Sequence, residues 1–466
     1  MKNLDKIVFN YLKGFNHKFL ITDSFKSYSK QEIVLKIKKY QNILNSIWKN
    51  SENRGVAILL PRDSDYICLI LATWLSKGYY LPLSLETPKK NIKYQINDSN
   101  VNILVEKKNN KIIFRKLNNK KSSLIIKKNY KKIAYIIFTS GSTGKKKGVC
   151  ISNKSFSSYI ESIKKKFKSK KRAKSIVISG ELTFDITIAD FAFAFIYGSQ
   201  IVLTDRSQNF ISLLSMIKSQ KAESIYLVPS ALDKFLDFSK KIGINNLKSI
   251  KQINLGGERF NVELLSKIKK YFNSVKVYNF YGPTEFTVNS MCHEINMNRK
   301  YKEIPIGKPL PGVLAKLKNN ELYLSGNQKM LGYVNYKNSF VKLNKKIYYK
   351  TGDIVKINKK NEFIFESRTK EYIKLNGYRI NLSRIENIIF KHLLLPIKLT
   401  IYKNKILMFV EFKNQNSSNL IKKIKLIISI HLEKYEQPIN IFILKKFPIL
   451  ESGKTDLNKL VSTIKL

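Results

Sequence analysis

The feature that most constrains this chain is a regular alternation of β-branched runs with apolar stripes at helical spacing, between residues 55 and 279. The first repeat comprises 56–60, a helical stripe over 65–77 closed by Gly78, and 79–83. A glycine directly after the last helical residue is a common helix stop. Strands that alternate with helices of this length predict parallel sheets covered by helices. The pattern continues in 175–179, 186–196, 201–204, 211–221, 224–228, 253–255, 262–272 and 275–279.

The pattern changes after about residue 300, where short strands and polar turns replace the long helical stripes. From about residue 370 a small α+β unit is predicted, with strands at 372–375, 397–402, 406–412 and 440–444 and helices at 382–392 and 420–432. A chain of 466 residues also exceeds what one core usually organises. We therefore predict an α/β fold: a large N-terminal domain (1–369) with mostly parallel, helix-covered sheets and a β-rich part, then a small mobile α+β C-terminal domain (370–466). Lys/Asn-rich stretches such as 107–111 are interpreted as loops.

The net charge of +53 raises the question of a nucleic-acid or membrane partner. The excess is almost all lysine, spread over the whole chain, and only 163–174 forms a basic cluster. It accompanies an excess of Asn, Ile, Tyr and Phe, which is typical of compositional drift. A solvated basic surface is therefore favoured over a dedicated nucleic-acid site, although steering of acidic partners stays open.

Three cysteines, Cys68, Cys150 and Cys292, are far apart and form no CxxC pair. This pattern indicates neither a disulfide framework nor a thiolate metal site, and the four histidines have no spacing that suggests a shared metal. No apolar run approaches the length of a bilayer span, and the first residues lack the apolar core of a secretory signal. We expect a soluble, cytoplasmic protein with no membrane span.

A buried-strand pattern at 134–138 runs directly into Thr-Ser-Gly-Ser-Thr-Gly-Lys, residues 139–145. Hydroxyls, glycine backbone N–H groups and a lysine at the end of a strand are what a polyphosphate requires. The segment is not a Walker loop, because Thr139 occupies the position of that motif's first glycine. A flexible polar loop is the alternative interpretation, but it does not require this order of residues.

Together with seven further segments, this loop resembles the adenylate-forming superfamily, particularly amino-acid adenylation domains and D-alanine:carrier-protein ligases. The resemblance spans nearly the whole chain, and Lys146 replaces the proline that is usual in the loop. The other segments, in order, are FDIT (184–187), GGE (256–258), NFYGPTE (279–285), EL with GY (321–322, 332–333), YKTGD (349–353), Arg368 with GYRI (377–380), and Pro448 with GK (453–454).

The resemblance implies ATP and Mg²⁺ as cofactors and a nucleotide site assembled from distant segments. Within it, Tyr281 would stack on adenine, Asn279 would form a hydrogen bond near the exocyclic amine, and Asp353 would accept hydrogen bonds from the ribose hydroxyls. An Asx cap in a turn is the alternative for Asp353. The implied nucleotide contacts are Thr139, Ser140, Gly141, Ser142, Thr143, Gly144, Lys145, Gly257, Glu258, Asn279, Tyr281, Gly282, Thr284, Asp353 and Arg368.

Three residues are implied as catalytic: Thr143 in the loop, Glu285 as the Mg²⁺ carboxylate, and Lys454. Lys454 follows Gly453 in a GKxD ending and resembles the mobile lysine that bridges the carboxylate and the α-phosphate. The hinge position between the domains is Lys370. Adenylation domains more often have aspartate there, and acyl-CoA synthetases more often lysine.

Asp185 indicates the class of substrate. In the related amino-acid-activating enzymes an aspartate at this position pairs with the substrate ammonium, whereas fatty and aromatic acids have no ammonium to pair. The alternative role is an N-cap of the following helix. The resemblance places the substrate pocket at Asp185, Ile186, Tyr226, Gly256, Phe280 and Val288, with Ala189, Asn254 and Asn289 as further wall residues.

The resemblance implies two half-reactions: a carboxylic acid and ATP first form an acyl-adenylate, and the acyl group is then transferred to a thiol. No cysteine of this chain is in a reactive context. The predicted function is therefore formation of an aminoacyl-adenylate, followed by loading of the phosphopantetheine of a separate, acidic carrier protein. An acyl- or aryl-acid:CoA ligase of the same superfamily is the alternative, favoured by Lys370 and opposed by Asp185. A nucleic-acid-binding protein and an inactive scaffold of the same fold are less favoured.

Overall fold

The computed structural model describes residues 3–117, 129–139, 146–168, 173–207, 209–244, 247–272, 274–336, 338, 340–368, 373–412, 417–448, 455–462 and 464. Its α-helices are α1 (Leu4–Gly14), α2 (Lys30–Ile47), α3 (Ser64–Leu75), α4 (Lys89–Ser99), α5 (Asn153–Lys166), α6 (Ile186–Tyr197), α7 (Phe210–Ser219), α8 (Pro229–Lys241), α9 (Val262–Tyr271), α10 (Leu382–Leu393), α11 (Ser417–His431) and α12 (Leu457–Ser462).

The strands of the first three hundred residues are β1 (Ile21–Thr22), β2 (Ser27–Tyr28), β3 (Gly55–Leu59), β4 (Tyr79–Pro82), β5 (Ile103–Lys108), β6 (Lys111–Lys116), β7 (Ile133–Thr139), β8 (Lys147–Ser152), β9 (Ser175–Ile178), β10 (Gln200–Leu203), β11 (Ser224–Leu227), β12 (Gln252–Gly256), β13 (Lys276–Tyr281) and β14 (Met291–Glu294).

The later strands are β15 (Lys308–Pro309), β16 (Val313–Lys318), β17 (Glu321–Gly326), β18 (Gly332–Tyr333), β19 (Phe340–Leu343), β20 (Lys346–Ile357), β21 (Phe363–Arg368), β22 (Ile373–Leu375), β23 (Tyr378–Ile380), β24 (Ile397–Tyr402), β25 (Lys405–Glu411) and β26 (Asn440–Leu444). The chain divides into two compact units. The first holds the described residues of 1–85, 95–139 and 147–369, and the second holds 86–94, Lys146 and the described residues from 373 onward.

Two large sheets form the frame of the first unit. One has the order β15-β14-β13-β12-β11-β9-β10-β1-β2, with parallel pairing from β13 through to β1. The other has the order β18-β8-β7-β4-β3-β5-β6, with β7, β4, β3 and β5 parallel. One hydrophobic cluster contains residues of both sheets and of the apolar helices α3 and α6, whose Trp74 and Phe191 rings lie 5.6 Å apart. A second cluster packs α7, α8 and α9 on the larger sheet.

The remaining strands of the first unit form an antiparallel sheet, β16-β17-β20-β19, with β21 on β20. β20 is one strand of 12 residues whose pairing with both β17 and β21 shifts register. The second unit contains a β22-β23 hairpin and a β24-β25-β26 sheet, with α10 and α11 in the same hydrophobic cluster. The predicted fold class, α/β with a β-rich part and a small α+β C-terminal part, is confirmed.

The interpretation of 107–111 as a loop is wrong. β5 and β6 form a hairpin, and the turn between them is Asn109-Asn110, with φ values of 46° and 60°. Asparagine tolerates this left-handed conformation better than most residues, and two such residues in a row make the tight turn that matches strand twist. Asn319-Asn320 connects β16 to β17 in the same way. Among the described helices, none combines the length and hydropathy needed to cross a bilayer.

Candidate active site

The predicted phosphate loop begins at the end of the β7–β8 hairpin where the chain passes from β7 to β8. Thr139 ends β7 and pairs with Lys147, the first residue of β8. The Nζ of Lys147 lies 3.6 Å from the centre of the Tyr336 ring, which is a cation–π distance. Ser140, Gly141, Ser142, Thr143, Gly144 and Lys145 lie outside the described residues, as do Lys370 and Lys454.

Glu285 is joined to this hairpin through Tyr333. The short strand β18 pairs with β8, with Tyr333 opposite Val149. The Tyr333 hydroxyl donates a hydrogen bond to Glu285 Oε1 at 2.6 Å, and the Glu285 side chain is 2% exposed. Burial, followed by the charge of Glu285, raises the pKa of Tyr333 well above its ordinary value, so the tyrosine stays a hydrogen-bond donor.

The turn that carries Glu285 is tight and strained. A Cβ on Gly282 would lie 2.1 Å from the carbonyl oxygen of Val288, so only glycine fits there. Thr284–Phe286 form a 3₁₀ turn, and Thr287 and Val288 then take φ values of 55° and 67°. Left-handed backbone at β-branched residues costs of order 1–3 kcal/mol each and clusters at functional sites. After this turn the chain runs back to the end of β13, where Ser290 N–H donates to the Tyr281 carbonyl.

Tyr281 and Asp353, 72 residues apart, meet in the buried interior. The Tyr281 hydroxyl donates to Asp353 Oδ2 at 2.5 Å, and the two residues are 8% and 1% exposed. Tyr281 ends β13, and Asp353 lies in β20, so the contact joins the parallel sheet to the β-rich part. The two residues that the sequence assigned to adenine and ribose are therefore neighbours.

Hydrogen bonds from its neighbours fix the position of Asp353. Its backbone N–H donates to Thr351 Oγ1, and Thr351 Oγ1 donates to the Leu322 carbonyl. Gly352 N–H donates to a carboxylate oxygen of Glu321. The side chain of Asp353 caps none of these groups and instead accepts from Tyr281. The backbone of Arg368, at the end of β21, pairs with Asp353 across the sheet, and the Arg368 side chain lies outside the described atoms.

The other predicted nucleotide residues lie at the ends of β12 and β13. Asn279 is buried, and its Nδ2 donates to the carbonyl of Pro305 at 2.7 Å. Gly257 has a φ of 87°, and Glu258 Oε2 accepts the backbone N–H of Ser230 at 3.0 Å. Asn279, Gly257 and Tyr281 therefore share the carboxyl edge of adjacent parallel strands, the edge where open α/β sheets bind ligands.

Asp185 stands at the start of α6, but its side chain makes no hydrogen bond to the first turn of the helix. The N-cap role considered above is therefore absent. Its carboxylate is half-buried and contributes to raising the pKa of the buried hydroxyls of Tyr135, Tyr159 and Tyr226, for which burial is the main cause. Such an electrostatic effect requires the carboxylate to lie near those rings. Ile186, the next residue, lies near Gly257.

The other predicted pocket residues surround the same strand ends. Gly256 and Phe280 are paired neighbours on β12 and β13. The Tyr226 and Phe280 ring centres lie 5.8 Å apart, and Val288 is buried. The structure thus brings Tyr226, Gly256 and Phe280 together at one edge of the sheet.

Arg62 is a residue that the sequence analysis did not single out, and Tyr333 is one to which it assigned no role. The guanidinium of the half-buried Arg62 donates to the carbonyls of Thr204, Gly180 and Ile178 at 2.8, 2.6 and 2.5 Å. Desolvation lowers its pKa to about 10, which still leaves it charged at neutral pH. These carbonyls follow β9 and β10, so Arg62 ties two strand ends together. No motif indicates this role, whereas Tyr333 belongs to the GY segment noted in the sequence.

Metal ligands and thiols are sparse in this region. Within the described ranges, no three His, Cys, Asp or Glu side chains are grouped closely enough to hold a metal ion. The three cysteines form no disulfide bond and are buried: Cys68, Cys150 and Cys292. Burial raises the pKa of the Cys68 and Cys150 thiols, which disfavours the reactive thiolate.

Comparison with known proteins identifies the family. Residues 13–334 match the AMP-binding enzyme family. The chain is 26% identical over 448 residues to one of the polypeptides of plipastatin synthase from Bacillus subtilis (strain 168), an alignment that covers 87% of this chain but only 12% of that protein. This chain thus spans about an eighth of the length of that relative.

Solved structures show the same fold. Holo-PA1221, an NRPS protein containing adenylation and PCP domains, superposes with a TM-score of 0.82 at 20% identity, covering 100% of this chain and 84% of that one. The o-succinylbenzoate CoA synthetase MenE of Bacillus subtilis superposes with a TM-score of 0.78 at 18% identity, covering 99% and 98%. With the family match over residues 13–334, the predicted resemblance is confirmed: this chain belongs to the AMP-binding enzyme family and is an ATP-dependent, adenylate-forming ligase.

Proposed function

We propose that this enzyme activates an α-amino acid and loads it on the thiol of a separate carrier protein. In the first step a carboxylate oxygen of the amino acid attacks the α-phosphorus of ATP. The bond from that phosphorus to the bridging oxygen breaks, and pyrophosphate leaves. In the second step a thiolate attacks the acyl carbon, a thioester forms, and AMP leaves with the electron pair of the broken C–O bond.

The observation that carries the amino-acid assignment is the environment of Asp185. Its half-buried carboxylate makes no capping hydrogen bond to α6, and its charge contributes, after burial, to the raised pKa of the Tyr226 hydroxyl. An α-ammonium group placed against a carboxylate in such a position gains a charge-assisted hydrogen bond that is little weakened by solvent. A fatty or aromatic acid has no group that can make this bond. The pocket geometry therefore favours an amino acid over the substrates of acyl- and aryl-acid ligases.

The nucleotide is proposed to bind where Tyr281, Asn279 and Asp353 come together. The side-chain nitrogen of Asn279 donates a hydrogen bond to the carbonyl of Pro305. This bond orients the side-chain oxygen of Asn279 as the proposed acceptor for the adenine amine. Asp353, which accepts a hydrogen bond from the Tyr281 hydroxyl, is proposed to accept one from a ribose hydroxyl as well. The backbone at Gly257 and the residues Glu258, Gly282, Thr284 and Arg368 complete the proposed contacts.

Glu285 is proposed to bind Mg²⁺ together with the phosphates of ATP. Its carboxylate fits, because magnesium prefers oxygen ligands and is commonly held by one or two carboxylates plus substrate phosphates. The bond from Tyr333 fixes one oxygen of Glu285 and so orients the group. When bound, the ion would neutralise phosphate charge as the pyrophosphate leaves.

Further parts of the proposal involve residues that lie largely outside the described part of the chain. The loop 139–145 is proposed to hold the β- and γ-phosphates, with Thr143 among the catalytic residues. Lys454 is proposed to bridge the carboxylate and the α-phosphate. The division into a core of 1–369 and a mobile lid of 370–466, with Lys370 as the hinge, is part of the same proposal.

The thiol acceptor is proposed to be a phosphopantetheine-bearing carrier protein. The cysteines of this chain are buried, and a structural neighbour combines adenylation and PCP domains. The net charge of +53 would speed encounter with an acidic carrier at low salt. Coenzyme A is the alternative acceptor, since a CoA synthetase has the same fold.

The test is an ATP–pyrophosphate exchange assay with a panel of amino, fatty and aromatic acids. We expect exchange only with an amino acid. We also expect Lys454→Ala to abolish exchange while the Kd for ATP stays within a few-fold, because the lysine acts on the reacting centre. Exchange driven only by fatty or aromatic acids would contradict the amino-acid assignment, and unimpaired exchange in the Lys454 variant would contradict its role.

A further inference from the structure

The predicted wall of the substrate pocket, formed by Tyr226, Gly256 and Phe280, lies at the carboxyl ends of three adjacent parallel strands. β11, β12 and β13 are neighbours, with Tyr226 opposite Asn254 and Gly256 opposite Phe280. Because the strands are parallel, their ends form one edge.

The Tyr226 side chain lies against Gly256. A Cβ built on Gly256 would lie 2.5 Å from the Tyr226 hydroxyl oxygen and 3.1 Å from the Phe280 carbonyl. The hydroxyl therefore occupies the position that a side chain at residue 256 would need. The neighbouring Phe280 ring, with its centre 5.8 Å from the Tyr226 ring, closes the same wall.

Two hydrogen bonds prevent Tyr226 from turning aside. Its hydroxyl donates to Asn289 Oδ1 at 2.9 Å, and Asn289 Nδ2 donates to the Tyr159 hydroxyl at 2.8 Å. Tyr226, Asn289 and Tyr159 are 1%, 3% and 0% exposed, respectively. Moving the ring would leave buried amide and hydroxyl groups without partners, which costs about 1–3 kcal/mol for each group. The wall is therefore rigid.

We propose that Tyr226, held by Asn289 and Tyr159, restricts the substrate to the smallest α-amino acids: glycine, alanine or serine. This inference rests on the proposed function, because it assumes that the substrate ammonium pairs with Asp185. With the ammonium fixed at Asp185, a longer side chain meets the Tyr226 ring, and a rigid wall excludes it by overlap.

The first test is the exchange assay on the unaltered enzyme with glycine, both alanine enantiomers, serine, valine, leucine and phenylalanine. We expect kcat/KM for at least one of the small amino acids to exceed that for leucine and phenylalanine by about 100-fold, since a methylene in a closed pocket is worth roughly 10- to 200-fold. A preference for leucine, phenylalanine or valine overturns the inference but leaves the proposed function standing. No exchange with any amino acid overturns the proposed function itself.

The second test enlarges the pocket. Tyr226→Ala should raise kcat/KM for valine or leucine about tenfold or more relative to the small amino acids, with the KM for ATP unchanged. Asn289→Ala, which releases the ring without removing it, should shift the preference in the same direction by a smaller factor. The Asn289 variant keeps the test valid if Tyr226→Ala folds poorly.

Tyr271→Phe is the matched control. Tyr271 is also a buried tyrosine, but its hydroxyl donates to the carbonyls of Leu236 and Ile244 in the second hydrophobic cluster. Loss of that hydroxyl should lower stability and leave the amino-acid preference unchanged. An unchanged preference in folded Tyr226→Ala and Asn289→Ala, judged by thermal melting, would exclude Tyr226 as the determinant of substrate size.

Discussion

The two ends of the candidate site are built from different chemistry. At the end where the nucleotide is proposed to bind, carboxylates accept hydrogen bonds from tyrosine hydroxyls: Tyr281 donates to Asp353, and Tyr333 donates to Glu285. At the pocket wall, a neutral amide joins two neutral hydroxyls, in the order Tyr226, Asn289 and Tyr159. Negative charge is present where a polar, metal-bearing ligand is proposed to bind, and the neutral network is present where only shape has to be fixed.

This difference indicates how each end should respond to change. A charged group that acts on the reaction should alter the rate more than the stability when it is replaced by a neutral group of the same shape. A neutral, fully satisfied network should alter substrate preference, because each member holds the next in place. The following predictions separate these two kinds of effect.

The largest effect is expected at Glu285. Glu285→Gln keeps the shape and an oxygen that can accept Tyr333, but removes the charge proposed to hold the metal. We expect the pyrophosphate exchange rate to fall about 100- to 1000-fold, as when one electrostatic catalytic group is removed. Thermal melting should change little, because the buried contacts persist.

Glu303→Gln is the control for this change. Glu303 is a surface carboxylate paired with Arg259 and Lys356, so the same substitution there should leave the exchange rate within about twofold. A similar loss of rate in both variants would show that the Glu285 effect is not specific to the site.

The next effect is on stability, at Arg62. Arg62→Lys replaces a guanidinium that spans three carbonyls with a single ammonium nitrogen, so we expect two of the carbonyls to lose their donor. We expect the free energy of unfolding in urea to fall by about 3 kcal/mol, at 1.5–3 kcal/mol for each bond to a charged group. Arg54→Lys is the control, since Arg54 donates to the single carbonyl of Ser76 and should cost about 1 kcal/mol or less. Equal costs in the two variants would contradict the role of Arg62.

The smallest effect is expected at Tyr281, and it tests the comparison most directly. Tyr281→Phe keeps the ring but removes the donor to Asp353, so the KM for ATP should rise about tenfold while the amino-acid preference stays the same. Tyr226→Phe should do the opposite: the KM for ATP stays the same and the preference shifts. Steady-state kinetics with both substrates distinguish these outcomes, and a common effect on both KM values would contradict the separation of the two ends.

Much of this architecture was predictable because its signals are local. Alternating strands and helices such as β11, α8 and β12 follow from periodicity within each segment, and NFYGPTE is contiguous in the sequence. The wrong prediction of a loop at 107–111 also has a local cause. The Lys/Asn-rich composition of that stretch is typical of an irregular loop, but two adjacent asparagines tolerate left-handed φ and therefore form a two-residue hairpin turn.

By itself, the sequence determined the fold class and the family, and it predicted which motif residues reach the nucleotide. Only the tertiary structure decided that Tyr281 bonds Asp353, that Arg62 binds three strand-end carbonyls, and that Asn289 locks Tyr226 against Gly256. The reason is that backbone periodicity and turn chemistry depend on adjacent residues. A hydrogen bond between residues 63 or 72 positions apart depends instead on where the packing of whole sheets places the two side chains.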